Sequence, residues 1–253
     1  MSAAALSLSS VVLVSLVSLV GVTTLSLKRE HMHRLIAALV SFAVGALLGD
    51  AFIHLIPQAF ANEPRPLRPS LLILGGMLLF FLLEKFLRHQ HALGHSHHHS
   101  GEKSPSPLAA INLIGDAIHN FIDGVLIGAS YLVSPALGLS TTVAVILHEI
   151  PQEFGDFGIL IHSGLSVRKA LLLNLASAST AIVGTVMALI AGAMAGTIVT
   201  SMLVPLTAGG FVYIAAADLI PELQHERGIR GGLVQASLIS LGIAVMALLA
   251  VLE

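Results

Sequence analysis

Long apolar stretches dominate this sequence and limit the kind of fold that it can adopt. A helix needs about 20 mostly apolar residues to cross the hydrocarbon core of a bilayer. Eight stretches reach this length, at residues 4–27, 35–60, 69–88, 108–133, 139–162, 169–194, 198–222 and 231–251. Only 10% of the 253 residues are charged, whereas a soluble domain is about one quarter charged. The sequence therefore predicts an all-α integral membrane protein with eight transmembrane helices.

The basic residues predict how these helices are oriented. If the N-terminus lies outside the cytoplasm, only Arg65 and Arg68 of the 12 Lys and Arg residues fall in extracytoplasmic loops. Cytoplasmic loops usually carry the excess of basic residues, so both termini are expected to be extracytoplasmic. The chain then divides into four parts: helices 1–3 (1–88), a cytosolic His-rich loop (89–107), a central helix pair (108–162) and helices 6–8 (163–253).

The central pair carries polar residues where a membrane helix should be apolar. Charge within a bilayer is costly, so such residues are a functional-site hypothesis by default. Polar residues on the fourth span fall within one arc of the helix, and those on the fifth form two adjoining stripes. Imidazole, carboxylate and amide groups are all metal ligands. The predicted metal-binding residues are His119, Asn120, Asp123, His148, Glu149 and Gln152.

Further polar residues predict a second ion site or stations along a pathway. They are Asp50, His54, Asp116, Glu153, Asp156, His162, Asp218 and Glu222. Some have simpler explanations: Asp50 and His54 could form a structural pair, His162 could lie at the membrane interface, and Glu222 could be a solvated helix end. These alternatives stay open at the level of sequence.

The only long linker, residues 89–107, is rich in histidine, glycine, serine and proline, and no fixed fold is expected there. Its histidines are His89, His91, His95, His97, His98 and His99. Loose binding of metal is the preferred interpretation, and a solvated low-complexity linker is the alternative.

The motifs of the central pair resemble those of the ZIP family of zinc/iron-regulated transporters. The segment 119–124 is similar to the family's fourth-span motif, and 148–157 is similar to the fifth-span signature of its LIV-1 branch. Segments 49–57 and 218–222 match as well, so the resemblance covers essentially the whole chain. Gln152 is a departure, because the LIV-1 pattern has His there; Asp123 is another, because many members carry Glu.

The resemblance implies a 3+2+3 helix arrangement that moves divalent metal into the cytosol, often as a homodimer. An elevator-like motion of one helix group against the other is implied too, with metal held between spans four and five. The transported substrate would be Zn²⁺, with Fe²⁺, Mn²⁺ and Cd²⁺ as further candidates. One or two ions could be bound. No catalytic cofactor and no nucleic-acid partner are expected.

Two other functions fit parts of the sequence. The segment from His148 to Gln152 differs by one residue from the His-Glu-x-x-His motif of zinc proteases, so an intramembrane metalloprotease is one alternative. A metal sensor that uses the His-rich loop without transport is the other. A multi-pass transporter rather than an enzyme remains the preferred prediction. A bacterial inner membrane is the expected location, and an organelle membrane is the alternative.

Deletion of residues 89–100 is expected to change apparent metal affinity or regulation but to preserve transport, because the pathway is predicted to lie in the central helices. Uptake of radioactive zinc by proteoliposomes measures both properties. Complete loss of transport would place the loop in the pathway itself.

Overall fold

The computed structural model describes residues 2–26, 29–61, 63–94, 107–224 and 228–252. Within these ranges all regular secondary structure is helical. We number the helices α1 to α8 and treat the segments that make up one predicted span as one helix. Four of them are single α-helices: α3 (Leu67–Gly94), α4 (Pro107–Val133), α5 (Pro135–His162) and α8 (Ile229–Leu252).

The other four helices are composite. Their segments are Ala3–Val17 and the 3₁₀ turn Ser18–Ser26 in α1; Arg29–Gly49, the π-helical Asp50–Leu55 and Ile56–Phe60 in α2; Val167–Ala178 and Thr180–Ala195 in α6; and Thr197–Tyr213, the π-helical Ile214–Leu219 and Ile220–Leu223 in α7.

Six helices of the described chain are long and apolar enough to cross a membrane. Their spans are Ala3–Thr23, Arg34–Phe60, Leu67–Lys85, Val167–Ala195, Ile198–Leu223 and Ile229–Val251, in α1, α2, α3, α6, α7 and α8. The two long helices outside this set are α4 and α5, which carry the predicted metal-binding residues. The multi-pass membrane character predicted from the sequence is thus confirmed.

The sequence analysis began the linker 89–107 at residue 89, which is before the end of helix α3. Helix α3 continues through residues 89–94 to Gly94, because no proline or glycine interrupts this segment before Gly94 itself. His89 and His91 therefore belong to a helix. His95, His97, His98 and His99 lie outside the described residues.

Helices α4 and α6 are in close contact because glycines face backbone on both sides. A Cβ added at Gly124 would lie 1.9 Å from the Ala181 carbonyl oxygen, and one at Gly184 would lie 2.0 Å from that of Phe121. Thr185 Oγ1 also donates a hydrogen bond to Gly124 O at 2.8 Å. Small residues let membrane helices approach closely, and hydroxyls add hydrogen bonds between them.

Two further helix pairs repeat this arrangement. Gly45 and Gly242 bring α2 against α8, and Gly76 and Gly209 bring α3 against α7; an added Cβ would lie 2.0–2.4 Å from a backbone oxygen in each case. The π-helical segments of α2 and α7 are each followed by Ile-Pro. These correspondences match the faint internal repeat in the sequence, where Leu-Ile-Pro occurs in both the second and the seventh span.

Replacing Gly124 by alanine is expected to lower stability by about 1–3 kcal/mol, because the new methyl group overlaps the backbone of α6. The melting temperature of the purified protein in detergent measures this. Gly158→Ala is the matched control, since nothing lies within 4 Å of a Cβ built there. An equal melting temperature for both variants would contradict the proposed close contact.

Candidate metal centre

Four metal-ligating side chains converge between α4 and α5. His119 and Asp123 are four residues apart on α4 and share one face of the helix. His148 and Glu149 are consecutive on α5. One ligand atom from each of the four lies within 4.8 Å of the others. The structure thus brings together four of the six residues predicted for this site.

The distances between these atoms suit a small tetrahedral cation. His148 Nε2 lies 3.1 Å from Asp123 Oδ2 and 3.5 Å from Glu149 Oε1. His119 Nε2 lies 3.7 Å from Asp123 Oδ2, 3.4 Å from Glu149 Oε1 and 3.3 Å from His148 Nε2. Zinc bonds of 2.0–2.1 Å in tetrahedral geometry separate neighbouring ligand atoms by about 3.3 Å. Small adjustments would therefore suffice to place one ion among the four.

The site is shielded from solvent. The side chains of Asp123, His148 and Glu149 are at most 2% exposed, and that of His119 is 16% exposed. Both carboxylate oxygens of Asp123 and Oε1 of Glu149 accept no hydrogen bond from the described residues. Buried carboxylates are normally paired or bound to a metal. With neutral imidazoles the set carries two negative charges, which a divalent cation would balance.

The backbone fixes the ligating nitrogen of His148. Its Nδ1 lies 3.1 Å from the carbonyl oxygen of Ala144, one turn earlier on α5. When Nδ1 carries the hydrogen for this bond, the lone pair of Nε2 is free for a metal, as is usual for ligating histidines. The ring also packs edge-on against Phe211 of α7, with centroids 6.2 Å apart. His148 is therefore oriented from two sides.

The other two predicted ligands, Asn120 and Gln152, carry amides. The fully buried Asn120 turns its amide towards Asp116, with Nδ2 at 2.7 Å from Oδ1 and 3.1 Å from the backbone oxygen. Gln152 is half-buried and lines a cavity next to the four-residue group. Asn120 Oδ1, the atom that would bind a metal, is buried and accepts no hydrogen bond from the described residues.

That cavity, which we call the inner cavity, has a volume of about 260 Å³ and reaches the four-residue group. Its polar lining consists of Asn112, Asp116, His119, His148, Gln152, Asp156 and Asp218. Asn112 Nδ2 donates a hydrogen bond to Asp156 Oδ1 at 3.1 Å. Three of the residues predicted for a second site or pathway, Asp116, Asp156 and Asp218, are thus brought together here.

Asp50 and His54 form a separate buried pair. His54 Nδ1 lies 3.2 Å from Asp50 Oδ1, and Thr141 Oγ1 of α5 lies 3.3 Å from Asp50 Oδ2. The pair occupies the π-helical segment of α2, and π-helical turns are frequent at functional sites. It lines neither the inner cavity nor a second cavity of about 490 Å³, which includes Gln58, Glu63 and Ser201 at the opposite ends of the helices.

The remaining predicted residues are scattered. Glu153 is buried and receives a hydrogen bond from Asn174 of α6. His162 and Glu222 are exposed near helix ends. The sequence analysis missed Asn112, Thr141 and Asn174. A lone asparagine in an apolar helix, as at Asn174, is the signal that could have identified one of them.

Comparison with known proteins gives consistent matches. The family model described as ZIP zinc transporter matches residues 1–108 and 88–250. Zinc transporter ZIP13 of Danio rerio is 32% identical over 275 residues, covering 89% of this chain and 79% of that protein. Zinc transporter SLC39A7 of Mus musculus is 33% identical over 305 residues, covering 87% and 64%. Zinc transporter ZIP4 of Homo sapiens is 32% identical over 266 residues, covering 80% and 41%.

Asp123→Ala is expected to weaken binding of Zn²⁺ by more than ~100-fold. Removal of a direct ligand should lower affinity more than the 10–100-fold loss that is typical of outer-shell partners. Gln152→Ala is expected to stay within about threefold, because two imidazoles and two carboxylates converge without it. Titration calorimetry on purified protein in detergent compares the two. An equal loss in both variants would show that Gln152 is a ligand and contradict the four-residue site.

Proposed function

Because this chain belongs to the ZIP zinc transporter family, we propose that it carries Zn²⁺ into the cytosol through the site between α4 and α5. Members of this family are transporters rather than enzymes. The observation that carries the proposal is the buried set of two imidazoles and two carboxylates, whose ligand atoms lie within 4.8 Å of one another. They would replace part of the hydration shell of the ion inside the membrane.

We propose that all eight helices cross the membrane in a 3+2+3 arrangement, with both termini extracytoplasmic. The repeated packing of α2 with α8 and of α3 with α7 supports this, because an inverted repeat would relate these two pairs. The polar helices α4 and α5 would occupy the centre. Contacts of α4 with α1, α6 and α7, and of α5 with α1 and α2, support this placement.

The inner cavity provides a route for release. Its residues come from the ends of α4, α5 and α7 that lie nearest the predicted cytosolic loops. Asp116, Asp156 and Asp218 would receive the ion after His119 and His148 release it, and Gln152 would contact it in passing. Carboxylate oxygens bind a hydrated divalent ion more loosely than a dry imidazole and carboxylate set, which favours onward movement.

The helix contacts suggest which parts move during transport. Helices α1, α4, α5 and α6 pack on one another, and α2, α3, α7 and α8 form a second set. The four ligating residues all belong to the first set. Movement of that set against the second would expose the site alternately to the inner cavity and to the opposite side. The Asp50–His54 pair would then be an entry station on the stationary set.

A single ion at the four-residue site is the proposed stoichiometry. Gln152 replaces the histidine of the LIV-1 pattern. A second ion would therefore have one imidazole fewer than that pattern supplies. We propose Zn²⁺ as the principal substrate because mixed nitrogen and oxygen ligation suits it. Fe²⁺, Mn²⁺ and Cd²⁺ are competitors to be compared.

Metalloprotease activity has less support. A catalytic zinc site keeps one coordination position for water beside three protein ligands, whereas four protein ligands converge here. A sensor without transport would leave the inner cavity unexplained. The homodimer, the bacterial inner membrane and loose metal binding by the His-rich loop remain proposals that rest on sequence and family resemblance.

His148→Ala and Asp123→Ala are each expected to abolish radioactive zinc uptake into proteoliposomes, because each removes a ligand at the centre of the path. Circular dichroism and gel filtration check that the fold is intact. The control is Thr142→Val, since among the described residues the Thr142 hydroxyl bonds to Gly138 O of its own helix alone. Uptake at the unsubstituted rate by both ligand variants would contradict the site.

A further inference from the structure

A buried polar contact joins three helices behind the metal site. Glu153 of α5 is 1% exposed and Asn174 of α6 is fully buried. Asn174 Nδ2 donates a hydrogen bond to Glu153 Oε2 and lies 3.3 Å from the carbonyl oxygen of Ser18 in α1. The contact therefore links α5, α6 and α1 at one point inside the protein.

Glu153 is close to the ligands in sequence but takes no part in their group. It follows Glu149 by one turn of α5, yet it belongs neither to the four converging residues nor to the lining of the inner cavity. Its Oε2 instead accepts from α6. A carboxylate that faces a neighbouring helix in this way supports the helix that carries the ligands.

Helix α1 is pressed against α5 at the same level. A Cβ added at Gly21 would lie 2.6 Å from Phe157 Cβ and 3.2 Å from Glu153 O. Ser15 Oγ also donates a hydrogen bond to Ala178 O of α6 at 3.0 Å. The three helices therefore have little freedom to slide past one another while the polar contact is intact.

The part of α6 that follows Asn174 also forms hydrogen bonds with α4. Ser177 follows Asn174 by three residues, and its hydroxyl donates to Leu113 O of α4 at 3.1 Å. Thr180 Oγ1 lies 2.6 Å from Ala117 O of α4. One stretch of α6 therefore contacts both ligand-bearing helices, although it supplies no ligand itself.

We propose that Glu153 and Asn174 are positioning residues for metal binding. Their hydrogen bond sets the rotation and the axial position of α5 on α6, so that His148 and Glu149 face His119 and Asp123 across a gap of the right size. This inference rests on the proposed function in one respect: the metal bound at the site is the ion that is transported. It assigns to Glu153 a role in support, in place of the pathway role predicted from the sequence.

The chemistry of the contact predicts which substitutions are tolerated. Glu153 Oε1 and Asn174 Oδ1 have no hydrogen-bond partner among the described residues. In Glu153→Gln the new amide can accept from Asn174 Nδ2 and also donate to Asn174 Oδ1. Glu153→Ala and Asn174→Ala each remove the contact and leave a buried polar partner behind.

The test is a double-mutant cycle on the purified protein, read as Zn²⁺ affinity and as KM and Vmax of zinc uptake. Glu153→Ala and Asn174→Ala are each expected to weaken affinity by ~10-fold or more, as outer-shell partners do, and to raise KM more than they lower Vmax. The double variant is expected to be no worse than either single variant, because both remove one shared contact. Glu153→Gln is expected to stay within about twofold of the unsubstituted protein.

The exchange variant Glu153→Asn with Asn174→Glu keeps the hydrogen-bonded pair. It tests the positioning role even if the alanine variants fail to fold. Recovery of affinity by this variant supports positioning, since a ligand role needs the carboxylate on α5. Loss of affinity in Glu153→Gln and in the exchange variant, with normal affinity in Asn174→Ala, would overturn the proposal. Thr142→Val serves again as the control. Because affinity is measured without transport, absence of uptake in the unsubstituted protein would contradict only the proposed function.

Discussion

The structure depends on a cluster of two imidazoles and two carboxylates held away from water. An ionisable residue in the middle of a membrane helix costs about 2.5–3.5 kcal/mol on insertion scales, and α4 and α5 carry several each. Such helices are tolerable only where they are enclosed by protein or line an aqueous cavity. The surrounding apolar helices and the inner cavity supply these conditions, and a divalent cation would balance the carboxylates of Asp123 and Glu149.

Close packing makes this enclosure possible. Bilayer lipid offers no hydrophobic force that brings helices together, so association relies on small residues and on hydrogen bonds between helices. Gly124 and Gly184 place α4 and α6 in backbone contact. The hydroxyl of Ser177 and the amide of Asn174 then connect α6 to both ligand-bearing helices. Helix α6 consequently contacts both helices of the candidate metal site, although it supplies none of the four converging ligand atoms.

The all-helical, multi-pass character was predictable because membrane spans have a length set by the bilayer and a composition set by the apolar solvent around them. The predictions were less accurate where local backbone geometry mattered. The π-helical segments in α2 and α7, the 3₁₀ turn of α1 and the interruption at Ser179 in α6 leave no clear trace in hydropathy. The start of the His-rich linker was also misplaced, since His and Gln residues are compatible with a helix that continues to Gly94.

The sequence by itself determined that His119 and Asp123 share one face of a helix, because residues four apart always do. It also placed His148 and Glu149 next to each other. Only the tertiary structure decided that these four converge and that a cavity lined by Gln152 lies beside them. Spacing along the sequence fixes the angle between two side chains of one helix. The rotation and axial position of one helix relative to another are set by the way both pack against a third helix.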